Sequence, residues 1–152
     1  MTDELQALKD WVEPLLAKLS RSERRQLTRR VARDLRRSQA QRIESQRNPD
    51  GIPYAPRKPQ NRRKQGAIRL RAMSSEIRTA KYMKIKIDSD GLTVGFTGRV
   101  AKIARDHQEG RTAMVNRNGP RVAYPARRLL GFAGGDVELV RSSVLRHIMP
   151  ID

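Results

Sequence analysis

Histidine is the side chain best suited to proton transfer and metal binding near neutral pH, and this chain has two, His107 and His147. His107 follows Asp106 and lies two residues before Glu109, a grouping that could suggest a metal site. Adjacent positions on a helix do not share a face, however, and no second nitrogen ligand is near in the sequence. We therefore predict that His107 is hydrogen-bonded at a helix end. We place His147 in the last turn of the C-terminal helix, where partial positive charge is favourable.

Other motifs of enzyme active sites are missing from the sequence. The chain contains no cysteine, which excludes disulfides, thiolate catalysis and cysteine-based zinc sites. The glycine-rich run at 131–136 lacks the Gly-Lys-Ser/Thr ending of a phosphate-binding loop. The paired serines at 74–75 and 142–143 have no nucleophile-elbow motif around them. We predict that the protein is not an enzyme and binds neither a metal nor a cofactor.

The charge balance indicates an acidic partner. Lysine and arginine total 33 against 16 aspartates and glutamates, which gives a formal net charge of +17. Such a charge opposes compaction and favours nucleic acid, an anionic membrane or an acidic protein surface as partner. Apolar residues make up 37% of the chain and aromatic residues 4%, so we expect a small, aliphatic core. The shortage of base-stacking aromatic side chains argues against single-strand and RNA platforms.

Membrane and secretory classes are disfavoured. No apolar run approaches the ~18 residues that span a bilayer. The N-terminus is acidic at Asp3 and Glu4, and no apolar segment of a secretory signal follows it. A role on an anionic membrane surface is weakened because the basic helices lack a bulky aromatic apolar face. We expect a protein that is made and kept in a cytoplasm.

The first 47 residues form a helical N-terminal region. Residues 3–19 have an amphipathic helical pattern, which Pro14 should kink or split into two short helices. Ser20 and Glu23 form a capping box, and the apolar residues that follow predict a long helix over 21–46. Its opposite face is basic and is either solvated or docked on phosphate or carboxylate groups. The arginines that define this face are Arg25, Arg29, Arg33 and Arg36.

Residues 48–66 are predicted to form an extended, proline-rich arm. The segment 48–51 reads Asn-Pro-Asp-Gly, a turn, and three prolines at 53, 56 and 59 forbid helix. Arg57 and Lys58 open its basic stretch. Ile52 and Tyr54 could anchor the arm on a neighbouring molecule, and a flexible loop is the alternative interpretation.

The centre of the chain predicts strands and a structural joint. A short helix over 67–79 is followed by a hairpin, whose strands flank the turn signal Asp90-Gly91. Gly95 and Gly98 should flank a tight turn, because only a residue without a Cβ takes a positive φ at little cost. Val100, Ile103, Ala104 and His107 recur at helical spacing and predict a short helix with these residues on its inward face. That helix should end at Gly110 in a left-handed cap.

The last third predicts a second hairpin and two helices. Thr112–Val115 and Arg121–Tyr124 flank Asn118-Gly119, a second hairpin signal. Pro125 and Gly131 suit the beginning and end of a short helix, and Asp136 suits the N-cap of the final one. The fold class predicted is α+β: N-terminal helices with a long basic helix, two central β-hairpins forming a small antiparallel sheet, and a C-terminal helix, in a single domain over 1–152.

Three blocks, taken in order, carry a family resemblance. Residues 41–51 read QRIESQRNPDG and are followed by APRK at 55–58, residues 94–110 read VGFTGRVAKIARDHQEG, and residues 124–131 read YPARRLLG. Together they resemble the phage virion morphogenesis, or tail completion, family of contractile-tailed bacteriophages. The resemblance extends over nearly the whole chain.

The resemblance implies a non-enzymatic virion protein that completes the tail at its head-proximal end. By analogy with tail terminators it implies a ring, most simply a hexamer, that joins tail tube and sheath to the head-completion proteins of the neck. It implies a place in the virion after assembly in the host cytoplasm. Subunit or partner contacts are expected at the four arginines and the arm, with Gly95, Gly98, His107, Gly110 and Gly131 holding the structure together. The alternative is a sequence-independent DNA-binding protein that uses helix 21–46, and the ring itself could contact DNA in its lumen.

Overall fold

The computed structural model describes residues 2–56, 77–88, 91–114 and 121–149. Within them lie four helices and two antiparallel two-stranded sheets, so the α+β class is confirmed. The two hairpins form separate sheets within these residues, rather than the one small sheet predicted. The helices are α1 (Thr2–Ala17), α2 (Arg21–Glu44), α3 (Arg99–Glu109) and α4 (Gly134–Ile148). The strands β1 (Met83–Asp88) and β2 (Gly91–Phe96) form one sheet, and β3 (Thr112–Met114) and β4 (Arg121–Ala123) form the other.

Helix α2 is the longest element and begins as predicted. The Ser20 hydroxyl accepts a hydrogen bond from the Glu23 backbone N–H, and the Glu23 carboxylate accepts one from the Ser20 N–H. This capping box satisfies two backbone donors that the helix itself cannot. Helix α1 continues through Pro14 as one helix, so a split at that proline does not occur. Pro14 is on the exposed side of α1, while apolar residues on both sides of it pack on one common cluster.

The core consists of two clusters on the inward side of α2. Towards its N-terminus, Leu27, Val31 and Leu35 pack with Val144 of α4 and with the apolar face of α1. Towards its C-terminus, Ile43 belongs to a cluster that joins distant parts of the chain. The other members of that cluster are Tyr54, Met83, Ala104 and Leu129. The core is therefore small and mainly aliphatic, as the composition predicts.

The first hairpin and helix α3 follow the sequence prediction closely, with three corrections. Gly95 lies within β2, paired with Lys84, and has no positive φ, so it does not flank the turn. Ile103 is exposed, and Ala104 is the buried residue of α3. Of the short helix predicted over 67–79, residues 67–76 lie outside the described residues, and residues 77–79 are not helical. The Thr79 carbonyl accepts hydrogen bonds from the Tyr82 and Met83 N–H groups, so a turn over 79–83 leads into β1.

Two predictions near the C-terminus are wrong in detail. Residues 124–131 do not form a helix. The backbone groups of this segment bond instead to side chains and backbone elsewhere in the chain, so no i to i+4 ladder forms. Asp136 is the third residue of α4 rather than its N-cap, which is Ala133. The Asp136 carboxylate accepts a hydrogen bond from the Ala133 N–H at 2.7 Å, and it therefore caps the helix from inside.

Candidate assembly surface

Arg42 is the centre of a buried polar network between α2 and the segment 127–133. It lies on the inward side of α2, one residue before Ile43. Its Nη2 donates to the Leu129 carbonyl at 2.6 Å, and its Nη1 donates to the Gly131 carbonyl at 3.1 Å and to Gln39 Oε1 at 2.9 Å. Burial lowers the pKa of Arg42, and the nearby Tyr54 and Asp136 oppose that shift. These hydrogen bonds satisfy two carbonyls of a segment that has no secondary structure of its own.

The same network extends to the beginning of α4. Asp136 is buried, and its carboxylate accepts hydrogen bonds from Ser38 Oγ and from Gln39 Nε2. Gln39 Oε1 also accepts from the Gly131 N–H. One carboxylate thus bonds to α2 and to the first turn of α4, which fixes the position of the two helices relative to each other.

Arg127 joins residues 54–56 to the core. Its side chain is 2% exposed, its Nε donates to the Ala55 carbonyl at 2.8 Å, and its Nη2 donates to the Pro56 carbonyl at 3.1 Å. The Arg127 backbone N–H donates to the His107 carbonyl at 2.7 Å. One residue therefore connects the start of the proline-rich segment to the end of α3.

Tyr54 is part of the chain's own core. Its side chain is 7% exposed, and its hydroxyl donates to the Arg128 carbonyl at 2.9 Å. Burial raises the pKa of Tyr54, and the charges of Arg42 and Arg127 oppose the shift. The prediction that Tyr54 anchors an arm on a neighbour is therefore wrong, because Asn48–Gly51 forms a turn that brings Tyr54 back onto the core. Ile52, in contrast, is 60% exposed.

Helix α3 contacts the irregular segment 124–131 through Gln108 and His107. Gln108 Oε1 accepts from the Leu129 and Leu130 N–H groups at 2.7 and 3.0 Å, and its Nε2 donates to the Leu130 carbonyl. The His107 ring packs against Tyr124 with ring centroids 4.8 Å apart. No local pattern in the sequence marks Gln108 as important, apart from its place within the second of the three blocks.

Two of the glycines predicted to be structural, Gly110 and Gly131, lie where an added Cβ would collide with a neighbouring residue. Gly110 has a φ of 66° and a ψ of 45°, and a Cβ there would meet the Ala126 backbone nitrogen at 3.0 Å. A Cβ on Gly131 would meet Pro49 Cγ at 2.8 Å. Gly98, the N-cap of α3, has a φ of 66° but has no atom within 4 Å of that position. The three blocks of the resemblance therefore meet in one junction, which we call the three-block junction: Arg42 to Pro56, Val94 to Gly110, and Tyr124 to Gly131.

A basic groove lies between the end of α1, the first half of α2 and the end of the β1–β2 hairpin. It has a volume of about 1000 Å³. Its lining contains Leu16, Thr28, Ile87, Gly91, the carboxylate of Asp88, and four arginines: Arg21, Arg24, Arg25 and Arg29. All four arginines are exposed, and among the described residues no ion pair involves Arg21, Arg25 or Arg29.

The structure separates the four predicted interface arginines. Arg25 and Arg29 line the groove, Arg33 is exposed outside its lining, and Arg36 is half-buried. Arg57 and Lys58 lie outside the described residues. Exposed apolar side chains occur elsewhere on the surface, and they are Ile52, Ile103, Phe132, Leu145 and Met149. Phe132 borders a small pocket of about 120 Å³ whose other walls include Leu35, Val94 and Leu130.

The described part of the chain contains neither a metal-ligand cluster nor a membrane-spanning helix. No group of three or more histidine or acidic side chains there is placed to hold a metal ion. Among the helices of those residues, none is long and apolar enough to cross a membrane. What the surface offers is charge and exposed apolar area, which are features of a contact surface.

The class of protein follows from the comparison with known families. The model of the phage virion morphogenesis family matches residues 3–149, and the chain belongs to that family. It is similar to the tail completion protein S of Escherichia phage P2, with 36% identity over 147 residues that cover 96% of this chain and 98% of the relative. No solved structure gives a significant match to this chain. These relationships support a structural role in the bacteriophage tail, and they lend no support to the DNA-binding alternative.

Proposed function

We propose that this protein completes the tail of a contractile-tailed bacteriophage at its head-proximal end. It acts there as a ring of six copies that joins tail tube and sheath to the head-completion proteins of the neck. The observation that carries the proposal is the 36% identity to a tail completion protein, which extends over both chains almost from end to end. A similarity of that extent concerns the whole domain rather than one shared segment.

The geometry supports a subunit that is completed by its neighbours. The two core clusters together contain few residues, while large apolar side chains such as Ile52 and Ile103 remain exposed. Three arginines of the basic groove have no carboxylate partner within the described residues. Contacts with neighbouring subunits or virion proteins would bury this apolar surface and pair these charges. The role is structural rather than catalytic, because the relative is an assembly protein.

The proposal is tested by disrupting the gene for this chain in the phage that encodes it. We expect infected cells to accumulate filled heads and tails that do not join, visible by negative-stain electron microscopy. A plasmid with the intact gene should restore infectious particles, and the same plasmid with an early stop codon is the matched control. Normal infectious virions from the disrupted phage would contradict the proposal.

The step of assembly at which the protein acts is tested by mixing extracts that contain heads and tails. Tails from the disrupted phage should become competent to join heads when the purified protein is added to them. Addition of the protein to heads alone, followed by its removal, should have no effect. If addition of the protein to heads, and not to tails, restores joining, the protein acts on the head and the proposal is contradicted.

A further inference from the structure

Helix α1 is acidic, although the chain as a whole is strongly basic. It contains four carboxylates and one lysine, whereas α2 contains nine arginines and three carboxylates. Two of the α1 carboxylates, Asp3 and Glu4, lie in the first turn, where negative charge interacts favourably with the helix dipole. Asp10 and Glu13 lie beyond the first turn, so the dipole does not explain their positions.

The acidic residues lie on the side of α1 that faces away from the core. Helical spacing places an exposed stripe opposite the leucines of α1. Its members are Asp3, Gln6, Ala7, Asp10, Glu13, Pro14 and Ala17, all exposed. Gln6 donates to Asp10, and Lys9 pairs with Glu13 at 3.8 Å. We call this surface the acidic stripe. Its alanines and proline are short, so another surface can approach the helix closely.

The basic groove has the opposite charge and is formed mainly by α2 and the β1–β2 hairpin, with Leu16 of α1 in its lining. Its described lining presents four guanidinium groups against the single carboxylate of Asp88. Leu16 and Ile87 are half-buried in its lining, so a bound helix would cover apolar surface as well as charge. An arginine that has no carboxylate partner and lies beside apolar side chains is well suited to bind a carboxylate of another protein surface.

We propose that the acidic stripe of one copy docks in the basic groove of the next copy. Two different surfaces of the same chain then meet, which is a head-to-tail contact, and such contacts close into rings when the rotation between copies allows it. The inference rests on the proposed ring, and it names the surfaces that build it. A second copy is the occupant because it provides the complementary charge in every subunit at equal stoichiometry.

Cysteine cross-linking tests this contact cleanly, because the natural chain has no cysteine. Ala7→Cys places a thiol on the stripe, and Thr28→Cys places one in the groove while all four arginines are kept. A short bis-maleimide should convert the double variant into a ladder of covalent dimers and larger species. Each single variant should remain monomeric on a denaturing gel, because a head-to-tail contact brings stripe to groove and never stripe to stripe.

The cross-linking is carried out on the purified full chain and on tails from cells that express each variant. A ladder from the double variant in either sample, together with monomers from both single variants, supports the contact. Absence of the ladder in both samples overturns it. Equal dimer yields from a single variant and the double variant also overturn it, because the contact would then be symmetric.

Charge reversal provides an independent measurement by sedimentation in solution. Asp10→Arg/Glu13→Arg and Arg25→Glu/Arg29→Glu should each weaken self-association about 10- to 100-fold at ~0.1 M salt, since like charges then face each other. Combining all four substitutions should restore most of the loss. The matched controls are Glu44→Arg/Glu138→Arg and Arg33→Glu/Arg37→Glu, which change the charge equally outside the stripe and the groove and should have less than about a threefold effect.

The outcomes separate this contact from the proposed function. If the charge-reversed stripe and groove variants self-associate and join tails to heads no differently from their controls, the contact is wrong and tail completion stands. If the ladder forms but gene disruption leaves virions normal, tail completion is wrong and the contact stands. Binding of a short DNA duplex that is lost in Arg25→Glu/Arg29→Glu, without any change in self-association, would assign the groove to nucleic acid and overturn the inference.

Discussion

The Nη2 atom of Arg42 donates a hydrogen bond of 2.6 Å to the carbonyl of Leu129, which lies 87 residues later in the chain. This bond, with the one to Gly131, holds an irregular segment against the longest helix. It places Arg42 within the three-block junction as the donor to two carbonyls of that segment.

Replacing Arg42 by methionine should destabilise the protein by about 2–4 kcal/mol. The Leu129 and Gly131 carbonyls would lose their donor in a buried environment, and unpaired buried polar groups are costly. Urea unfolding followed by circular dichroism measures the loss. Arg33→Met, on the exposed side of the same helix, is the control and should change stability by no more than about 0.5 kcal/mol. Equal stability of the two variants would refute a structural role for Arg42.

Substitutions at Gly110 and Gly95 should differ although both were predicted to be structural glycines. Gly110→Ala should cost about 2 kcal/mol, because it adds left-handed strain and a contact with the Ala126 backbone. Gly110→Asn tolerates the left-handed conformation better but keeps the contact, so it should not recover the stability. Gly95→Ala, in a strand with free space around it, should be neutral within about 0.5 kcal/mol. Recovery by asparagine would show that strain alone matters.

Helix and hairpin positions could be predicted because local signals determine them. The capping box at Ser20 begins α2, and strand alternation around an Asp-Gly signal produces the β1–β2 hairpin. The segment 124–131 could not, because Pro125 and Gly131 are compatible with both a short helix and an irregular segment. Side chains from α2 and α3 decide between them, and those contacts are distant in sequence.

The functional surfaces were only partly predictable for a similar reason. In a chain with 33 basic residues, nothing local distinguishes the buried Arg42 and Arg127 from exposed arginines. Helical spacing placed Arg25 and Arg29 on one face but could not show that α1 and a hairpin form the other walls of the groove. The sequence around Tyr54 predicts an extended arm, because a proline-rich segment gives no local signal that it folds back onto the core.

Deprotonation of Tyr54 should make the protein less stable at alkaline pH. Burial raises the pKa of Tyr54 in the folded state, so the unfolded chain loses this proton first as the pH rises. The contribution of Tyr54 to the free energy of unfolding is complete below the pKa of about 10 in the unfolded chain. Above that pH it decreases, by at most about 1.4 kcal/mol per pH unit. Urea midpoints from pH 8 to 11 should fall more steeply for the natural protein than for Tyr54→Phe. Parallel curves would contradict this assignment.

The basic segment that starts at Arg57 and Lys58 remains a predicted interface arm. Deleting 58–64 should leave a folded protein that does not complete tails, because Tyr54 to Pro56 keep their contacts with the core. A glycine-serine segment of the same length is the control that separates charge from length. Thermal unfolding confirms folding, and complementation of the disrupted phage measures function. Full complementation by both variants would remove the arm from the interface.

The position of the protein in the virion tests the central claim most directly. Purified particles that carry a small C-terminal tag on this chain can be labelled with gold-conjugated antibody and viewed by electron microscopy. The account predicts label at the junction of tail and head, and at the corresponding end of tails prepared from headless lysates. Label at the opposite end of the tail, or tagged infectious particles that contain none of this protein, would contradict it.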